Sequence, residues 1–231
     1  MSKRKLNQYK STLTAAQIAE GMNAAASNAK RLYEDAKLLF ESSRYPSSLS
    51  LSSLSIEESG KLSILRSLAL ARNQGEVEDT WREYRTHTRK NMLWPFLDLV
   101  SGGARKLSDF RPLVLEGADH PALMDNIKQL GFYTDCLGNA HWSKPSDVID
   151  ATLAESIIRI AEFLLPKHKV TEKEIELWIK HLKPVWKQDM EIMEAALVSW
   201  HRAMHDAGLM SGDPSDMEKF IIKGLEIKND T

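Results

Sequence analysis

Residues 14–40 read TAAQIAEGMNAAASNAKRLYEDAKLLF. Apolar residues recur along this stretch every three or four positions, which is the spacing of one face of an α-helix. They are Ile18, Met22, Ala25, Ala29, Leu32, Ala36, Leu39 and Phe40. Thr14 and Gln17 have the spacing of a capping box, a hydrogen-bonded helix start. The sequence therefore predicts a long first helix, which ends near Ser43 because Pro46 favours an extended or turn conformation in the residue before it.

A second helix is predicted from Pro46 to about Arg72, since proline is tolerated in a first helical turn. Its apolar residues also follow helical spacing, at Leu49, Leu54, Ile56, Leu62, Leu65 and Leu68. The segment is rich in serine, a mediocre helix former whose small side chain permits close packing of a neighbouring helix. A serine-rich linker is the alternative interpretation, and the apolar spacing argues against it.

Capping residues, glycines and prolines divide the rest of the chain. A third helix is predicted from Glu76 toward Pro95, followed by a long loop over residues 101–118. The later predicted elements are a helix from Asp119 that ends before Gly131, a turn between two short pieces over 132–142, a helix from Ser146 to Leu165, a long helix from Thr171 to about Asp206 kinked at Pro184, and a short helix from Asp213.

The fold class that follows is all-α, with at least five helices and no sheet larger than a small hairpin near 132–142. Glycine and proline are scarce, at 11 and 8 of 231 residues, which agrees with a helical chain. We expect a helical domain over residues 1–165 and a C-terminal helical extension over 166–231, packed on the same core.

Overall charge and composition exclude several classes of protein. The chain has 31 Lys and Arg against 32 Asp and Glu, a net charge of −1, so any site for a polyanion must be a local patch. Its single cysteine, Cys136, rules out an intramolecular disulfide framework and a cysteine-rich zinc site. The basic start is followed by no apolar signal region, and no stretch is apolar enough to span a bilayer. We expect a cytoplasmic protein without membrane contact.

Such a local patch occurs between residues 81 and 106, which hold six cations and two acids. Within it, Arg82 and His87 supply a guanidinium that can bind phosphate and an imidazole that can move protons near neutral pH. On one ideal helix these two side chains lie about 140° apart and flank a groove. A solvated basic helix face is the alternative interpretation.

Arg82-x4-His87 matches the R-x4–6-H motif of the HEPN superfamily, small all-helical proteins that include many metal-independent ribonucleases. The order of the surrounding segments resembles the AbiV-type abortive-infection family of bacterial phage-defence proteins. The segments are Arg31–Lys37, Arg44–Ser47, Ile56–Lys61, Trp81–Lys90 and the Tyr133, Asp135, Gly138, Trp142 and Pro145 pattern. The resemblance covers roughly residues 14–165.

The resemblance implies a HEPN-like helical bundle with additional C-terminal helices, and an anti-phage effector that cleaves RNA to arrest translation and growth. Arg82 and His87 would be the catalytic residues, with no metal and no cofactor. RNA would be the substrate, a phage-encoded protein the activator and a homodimer the assembly. The supporting or substrate-binding residues would be Glu57, Glu58, Lys61, Glu83, Tyr84 and Lys90.

Glu83 departs from the family pattern, in which Asn, Asp or His often follows the arginine. A carboxylate beside a phosphate site is unfavourable unless it pairs with Arg82 or Lys90. The alternative function is therefore a catalytically silent HEPN-like module that binds a protein or RNA partner.

Glu57 and Lys61 are four residues apart, the orientation that favours a helical ion pair. The adjacent Glu58 is predicted either to orient Arg82 or His87 or to be purely structural. His201 and His205 share a helix face, but Arg202 stands where a zinc-protease motif needs glutamate, so no metal site is predicted.

Overall fold

The computed structural model describes residues 7–86, 95, 99–100, 102–113 and 120–224. Within these residues it contains nine α-helices and one two-stranded sheet, which confirms the predicted all-α class. The helices are α1 (Ala15–Glu41), α2 (Tyr45–Leu70), α3 (Gln74–Arg85), α4 (His120–Phe132), α5 (Pro145–Val148), α6 (Ala151–Leu164), α7 (Glu172–Leu182), α8 (Met190–Asp206) and α9 (Asp216–Ile222). The strands are β1 (Asp135–Leu137) and β2 (His141–Ser143), and 3-10 turns span Leu107–Leu113 and Lys183–Val185.

Helices α1 and α2 form a closely packed antiparallel pair. The predicted capping box starts α1, with Thr14 accepting from Gln17 N and the Gln17 side chain accepting from Thr14 N. Two serines of α2 then bridge the pair: Ser48 Oγ donates to Ala36 O and Ser55 Oγ donates to Ala29 O, each at 2.8 Å. The alanines and serines leave room for this approach, so the predicted role of the serine-rich segment is confirmed.

Helix α2 is the centre of the bundle, because α1, α3, α4, α6 and α7 all pack against it. Its serines Ser48, Ser50, Ser52, Ser53 and Ser55 are completely buried. A hydroxyl that is buried away from water destabilises the fold unless it finds an acceptor. Three of these serines find one inside α2 itself, by donating to the carbonyl four residues earlier: Ser50, Ser52 and Ser53.

Helix α4 approaches the start of α2 through Gly131. A Cβ at this position would lie 2.5 Å from Ser50 Oγ and 3.2 Å from Pro46 O, so only glycine fits without a shift. Gly131 was expected just beyond the helix, but α4 continues through it to Phe132. The tight contact with α2 explains a glycine inside a helix, where it otherwise costs about 1 kcal/mol.

The C-terminal helices share a core with the first two. Val170 and Ile175 belong to the apolar cluster that holds Ile18, Met22 and Leu65. Trp178 Nε1 also donates to Arg66 O of α2 at 3.2 Å, and its ring meets the Trp200 ring edge to face at 5.1 Å. Helix α7 therefore links α8 to the α1–α2 pair.

The structure interrupts two helices that were predicted to be continuous. The helix expected from Ser146 breaks at Ile149 and Asp150, because Asp150 accepts from Leu153 N and caps a new helix, α6. The helix expected from Thr171 to Asp206 ends at Leu182. Pro184 then lies in a 3-10 turn, and Lys187 has a positive φ of 61°. The proline breaks this helix rather than kinking it.

The segment predicted as a turn between short extended pieces is a β-hairpin. Strand β1 pairs antiparallel with β2, with Cys136 opposite Trp142. Gly138 in the turn has φ of 52°, which glycine adopts without strain. Within the stretch predicted as a long loop over 101–118, the structure has a 3-10 turn at Leu107–Leu113.

Candidate functional site

The predicted catalytic arginine lies in the last turn of α3. Asn73 caps the start of this helix by accepting from Glu76 N, and Glu76 lies in its first turn. Arg82 and Arg85 occupy the last turn, where cations are favoured by the negative end of the helix dipole. Helix α3 therefore carries its positive charge at one end.

Helix α3 ends at Arg85, so the prediction that it runs on toward Pro95 is wrong at this point. Thr86 is extended, with φ −91° and ψ 127°. Its Oγ1 donates to Arg82 O at 2.8 Å. Its N–H donates to the carbonyl of Glu83, three residues earlier, whereas an α-helix would continue with a bond to the carbonyl four residues earlier. The angle of about 140° expected between Arg82 and His87 on one ideal helix therefore does not apply.

The N-terminal segment, residues 8–12, lies against the end of α3 and is held there by Trp81. The Trp81 side chain is 8% exposed, and its Nε1 donates to Ser11 O at 2.9 Å. The Tyr9 ring meets the indole edge to face at 6.1 Å. Arg85 lies over the same indole at 5.1 Å and also donates to Tyr9 O. These contacts fix the position of residues 9–11.

A groove of about 530 Å³ lies between the N-terminal segment and α3. Its lining residues are Gln8, Lys10, Glu78, Trp81, Arg82, Arg85 and Thr86. Three of these seven side chains are cationic and one is acidic, so the groove is electropositive although the whole chain is nearly neutral. An anionic ligand is the chemistry that this lining favours.

Arg82 is an exposed cation of the groove, with 75% of its side chain accessible. Its Nη1 lies 2.8 Å from Asp79 Oδ1, and this carboxylate is also exposed. Ion pairs of this kind contribute about 0–1 kcal/mol. Arg82 thus pairs with Asp79 and not with Glu58 or Glu83, and a phosphate group could displace so weak a partner.

Three predicted supporting residues come together beside the groove wall. Lys61 Nζ lies 2.5 Å from Glu58 Oε1 and 5.3 Å from the centre of the Tyr84 ring. Tyr84 in turn meets Trp81 edge to face at 5.4 Å. The cluster joins α2 to α3, and within the described residues Glu58 pairs with Lys61 and not with Arg82. The predicted alternative contact with His87 involves a residue outside the described ones.

The predicted ion pair of Glu57 with Lys61 is wrong. Glu57 instead faces α4, where its Oε1 accepts from Lys128 Nζ at 2.7 Å. Lys128 Nζ also lies 2.7 Å from Asp125 Oδ1, and the side chains of Glu57 and Lys128 are 4% and 6% exposed. Burial lowers the pKa of Lys128, but its contacts with Asp125 and Glu57 outweigh that effect and hold the pKa above its usual value.

His87 and Lys90, the other predicted catalytic and substrate-binding residues, lie outside the described residues. The sequence places His87 directly after Thr86, a lining residue of the groove. The structure therefore establishes the surroundings of Arg82 and the point from which the chain continues to His87.

Of the paired histidines of α8, His201 has a hydrogen-bond partner, whereas His205 Nε2 is buried without one among the described residues. Their ring centres are 4.7 Å apart, and His201 Nδ1 lies 3.2 Å from Pro214 O in the segment before α9. Among the residues that the structure describes, no three His, Cys, Asp or Glu side chains are grouped so that they could hold a metal ion.

Sequence reasoning missed Gln8 and Lys10, and it treated Arg85 only as part of a general basic patch. Lys10 and Arg85 are 75 positions apart in the sequence, so no local motif connects them. One indirect signal was available, because a buried tryptophan needs an acceptor for its indole N–H. It could not have identified Ser11 as that acceptor.

Comparison with known proteins identifies a family for most of the chain. A family model named HEPN_AbiV and described as AbiV matches residues 17–166, well over half of the chain. No curated protein and no solved structure matches the sequence. A search of the described residues also finds no helix with the length and apolar character needed to cross a membrane.

Proposed function

Because the chain belongs to the AbiV-type HEPN family, we propose that this abortive-infection protein is an anti-phage effector that works as a metal-independent endoribonuclease. Cleavage of RNA after infection would arrest translation and growth. The observation that carries the proposal is the electropositive groove at the end of α3, which is lined by Arg82 and by Thr86, the residue that precedes His87 in the sequence.

The proposed reaction is an internal transfer within the RNA chain. A base removes the proton of a ribose 2′-OH, and that oxygen forms a bond to the adjacent phosphorus while the bond from phosphorus to the 5′-oxygen breaks. An acid protonates the departing 5′-oxygen, which leaves a 2′,3′-cyclic phosphate. His87 is proposed as the proton carrier. Arg82 would stabilise the charge that develops on the phosphoryl oxygens, and Lys90 would hold the flanking backbone.

The test is cleavage of single-stranded RNA by the purified protein, with and without extract of phage-infected cells to supply an activator. We expect cleavage that survives EDTA, requires the 2′-OH and yields a cyclic phosphate. His87→Ala should abolish it, and Arg82→Ala should reduce it at least 100-fold, as the loss of one pre-positioned donor does in other enzymes.

Arg159→Ala is the matched control for Arg82→Ala. Arg159 is 72% exposed on α6 and pairs with Glu155 at 2.7 Å, which is close to the exposure and ion-pair geometry of Arg82. The control should cleave RNA like the wild type. Equal losses in both arginine variants would contradict a specific role for Arg82.

The second candidate is a catalytically silent module that binds a protein or RNA partner. Two observations favour it: Glu83 follows the motif arginine, and Asp79 already forms an ion pair with Arg82. Phage protection in cells separates the candidates. If folded His87→Ala protects cells as well as the wild type, catalysis by His87 is excluded and the binding module takes its place.

We also propose a homodimer in which the α3 helices of two chains face each other. The high exposure of Arg82 and of the neighbouring Asp79, at 75% and 66%, leaves this surface accessible to a second copy. Light scattering across a dilution series, combined with activity at each concentration, tests the assembly. A monomer that keeps full activity would contradict it.

A further inference from the structure

We propose that the groove between residues 8–10 and the end of α3 binds the sugar–phosphate backbone of single-stranded RNA, with Lys10 and Arg85 as phosphate contacts beside Arg82. The inference deepens the proposed ribonuclease function and rests on it. It assigns a binding role to the N-terminal segment, which lies outside the matched family region of residues 17–166.

The groove is a built feature, because its N-terminal wall is anchored at several points. Trp81 Nε1 donates to Ser11 O at 2.9 Å, and the Tyr9 ring lies against the same indole. Tyr9 OH donates to Thr12 O at 2.9 Å, which closes a turn within the segment. Lys10 lies between these anchored residues, so its backbone is held at the rim of the groove.

Two cations of the groove, Lys10 and Arg85, have no carboxylate partner among the described residues. Lys10 is exposed and forms no ion pair with any described residue. Arg85 donates only to the carbonyl oxygens of Trp81 and Tyr9 within the described part of the chain, so no carboxylate there neutralises its charge. The acid of the lining, Glu78, accepts from Gln74 Nε2 at 2.9 Å. Phosphate oxygens would satisfy donors that the protein leaves without an anionic partner.

The aromatic residue of the groove cannot serve as a platform for a base. Trp81 is 8% exposed, with Arg85 over its ring and the rings of Tyr9 and Tyr84 against it. Proteins that bind the bases of single strands stack those bases on open aromatic faces. Recognition in this groove therefore falls on the backbone and does not depend on sequence.

The location of the groove also suits a strand that continues to the reacting position. Arg82 and Thr86 line it, and the chain proceeds from Thr86 to His87. A strand held by Lys10 and Arg85 would place a neighbouring phosphate at Arg82. The N-terminal segment would then set the affinity for RNA, while the HEPN motif would set the rate of cleavage.

The experiment measures binding of uncleavable 2′-O-methyl oligonucleotides, one of uridine and one of adenosine, across a range of salt concentrations. We compare the wild type with Lys10→Ala and with Lys30→Ala as matched control. Lys30 is also an exposed lysine, with 70% of its side chain accessible, and it lies about 22 Å along α1 from the helix start. Both variants lose one surface charge, and circular dichroism checks that both stay folded.

Lys10→Ala should lower the slope of log affinity against log salt by about 0.7, the value for one phosphate contact on a single strand. At about 0.1 M salt the same loss weakens binding roughly fivefold. The effect should be equal for both oligonucleotides, and Lys30→Ala should bind like the wild type.

Three results would overturn the inference. The first is equal oligonucleotide affinity of the wild type and Lys10→Ala. The second is a loss of affinity in Lys10→Ala for only one of the two oligonucleotides. The third is competition by polyglutamate as strong as that by the oligonucleotides, which would indicate an acidic protein partner.

Failure of this inference is distinct from failure of the proposed function. Cleavage that does not depend on Lys10 overturns this inference alone, whereas binding that depends on Lys10 in a protein that cleaves no RNA overturns the ribonuclease alone.

Discussion

Polar side chains occur in two contrasting settings in this protein, the interior of α2 and the surface around the end of α3. In α2, five completely buried serines donate to carbonyl oxygens, and Glu57 is paired with Lys128 across to α4. Around the end of α3, Lys10 and Arg85 have no carboxylate partner among the described residues, and Arg82 has one exposed partner. Polar groups satisfied inside the fold support its stability, while those left without strong partners are free to bind a ligand. Each region should therefore respond differently to the same kind of substitution.

The largest effect on stability is expected at the buried ion pair. Lys128→Met leaves the carboxylates of Glu57 and Asp125 without the ammonium group that lies 2.7 Å from each. Because removing one partner of a buried pair leaves a buried charge uncompensated, Lys128→Met should lower the free energy of unfolding by about 3 kcal/mol. Denaturant titration measures this free energy.

Lys173→Met is the control for this variant. Its ammonium group pairs with Glu176 at 3.1 Å, but both side chains are at least half exposed. The control should change stability by less than about 0.5 kcal/mol. Equal losses in the two variants would show that the Lys128 pair adds nothing beyond a surface pair.

A smaller effect should separate two serines of the same helix. Ser55→Ala removes the hydrogen bond to Ala29 O that joins α2 to α1, at a cost of about 1 kcal/mol. Ser52→Ala removes only a bond to Ser48 O within α2, and alanine is the better helix former, so its effect should lie near zero. Both serines are completely buried. Equal losses by denaturant titration would contradict the bridging role of Ser55.

The junction between α2 and α3 should show a modest dependence on pH. Hydrogen bonds from the Arg72 side chain and backbone lower the pKa of Glu76 to about 2. Because the folded pKa is depressed, the contribution to stability is complete above the ordinary glutamate value of about 4.3 and is lost as the pH falls toward 2. Arg72 is 44% exposed, so we expect about 1 kcal/mol or less.

Glu76→Gln is the comparison that isolates this effect. The difference in unfolding free energy between wild type and variant should be constant above pH 5 and should shrink between about pH 4.3 and 2. A difference that stays constant over that range would exclude the Arg72 contact as its source.

The smallest effect on stability is expected at the groove. Arg82→Ala and Lys10→Ala each remove an exposed cation, and neither should cost more than about 0.5 kcal/mol. Thermal unfolding should therefore stay within about 2 °C of the wild type. A larger drop would mean that these side chains support the fold, and that any loss of activity on their substitution is indirect.

The fold could be predicted from the sequence where the signals are local. The Thr14–Gln17 capping box and Pro46 each act within one helical turn, and they placed α1 and the start of α2 correctly. Prediction failed where a second capping residue follows shortly after the first. The helix predicted from Ser146 begins at Pro145 without a side-chain cap, and Asp150 caps a separate helix, α6, which packs against α2.

The candidate site could be predicted less well, because its contacts join distant parts of the chain. Arg82 follows from the motif, but the pairing of Glu57 with Lys128 connects positions 71 residues apart. The helical rule that residues four apart can form ion pairs favours a pair of Glu57 with Lys61, and it contains no information about contacts with α4. Lys10 could not be assigned for the same reason, since its place at the groove depends on how Trp81 anchors Ser11.

The serines of α2 also have a consequence before the protein has folded. An all-buried helix made of leucine and isoleucine would be strongly apolar during synthesis, and exposed apolar segments of low charge are the ones that aggregate. In α2 the unfolded chain presents hydroxyl groups to water, and the same groups turn to the carbonyls of α1 and α2 on folding. The central helix of the bundle therefore presents fewer apolar groups to water before it packs against α1.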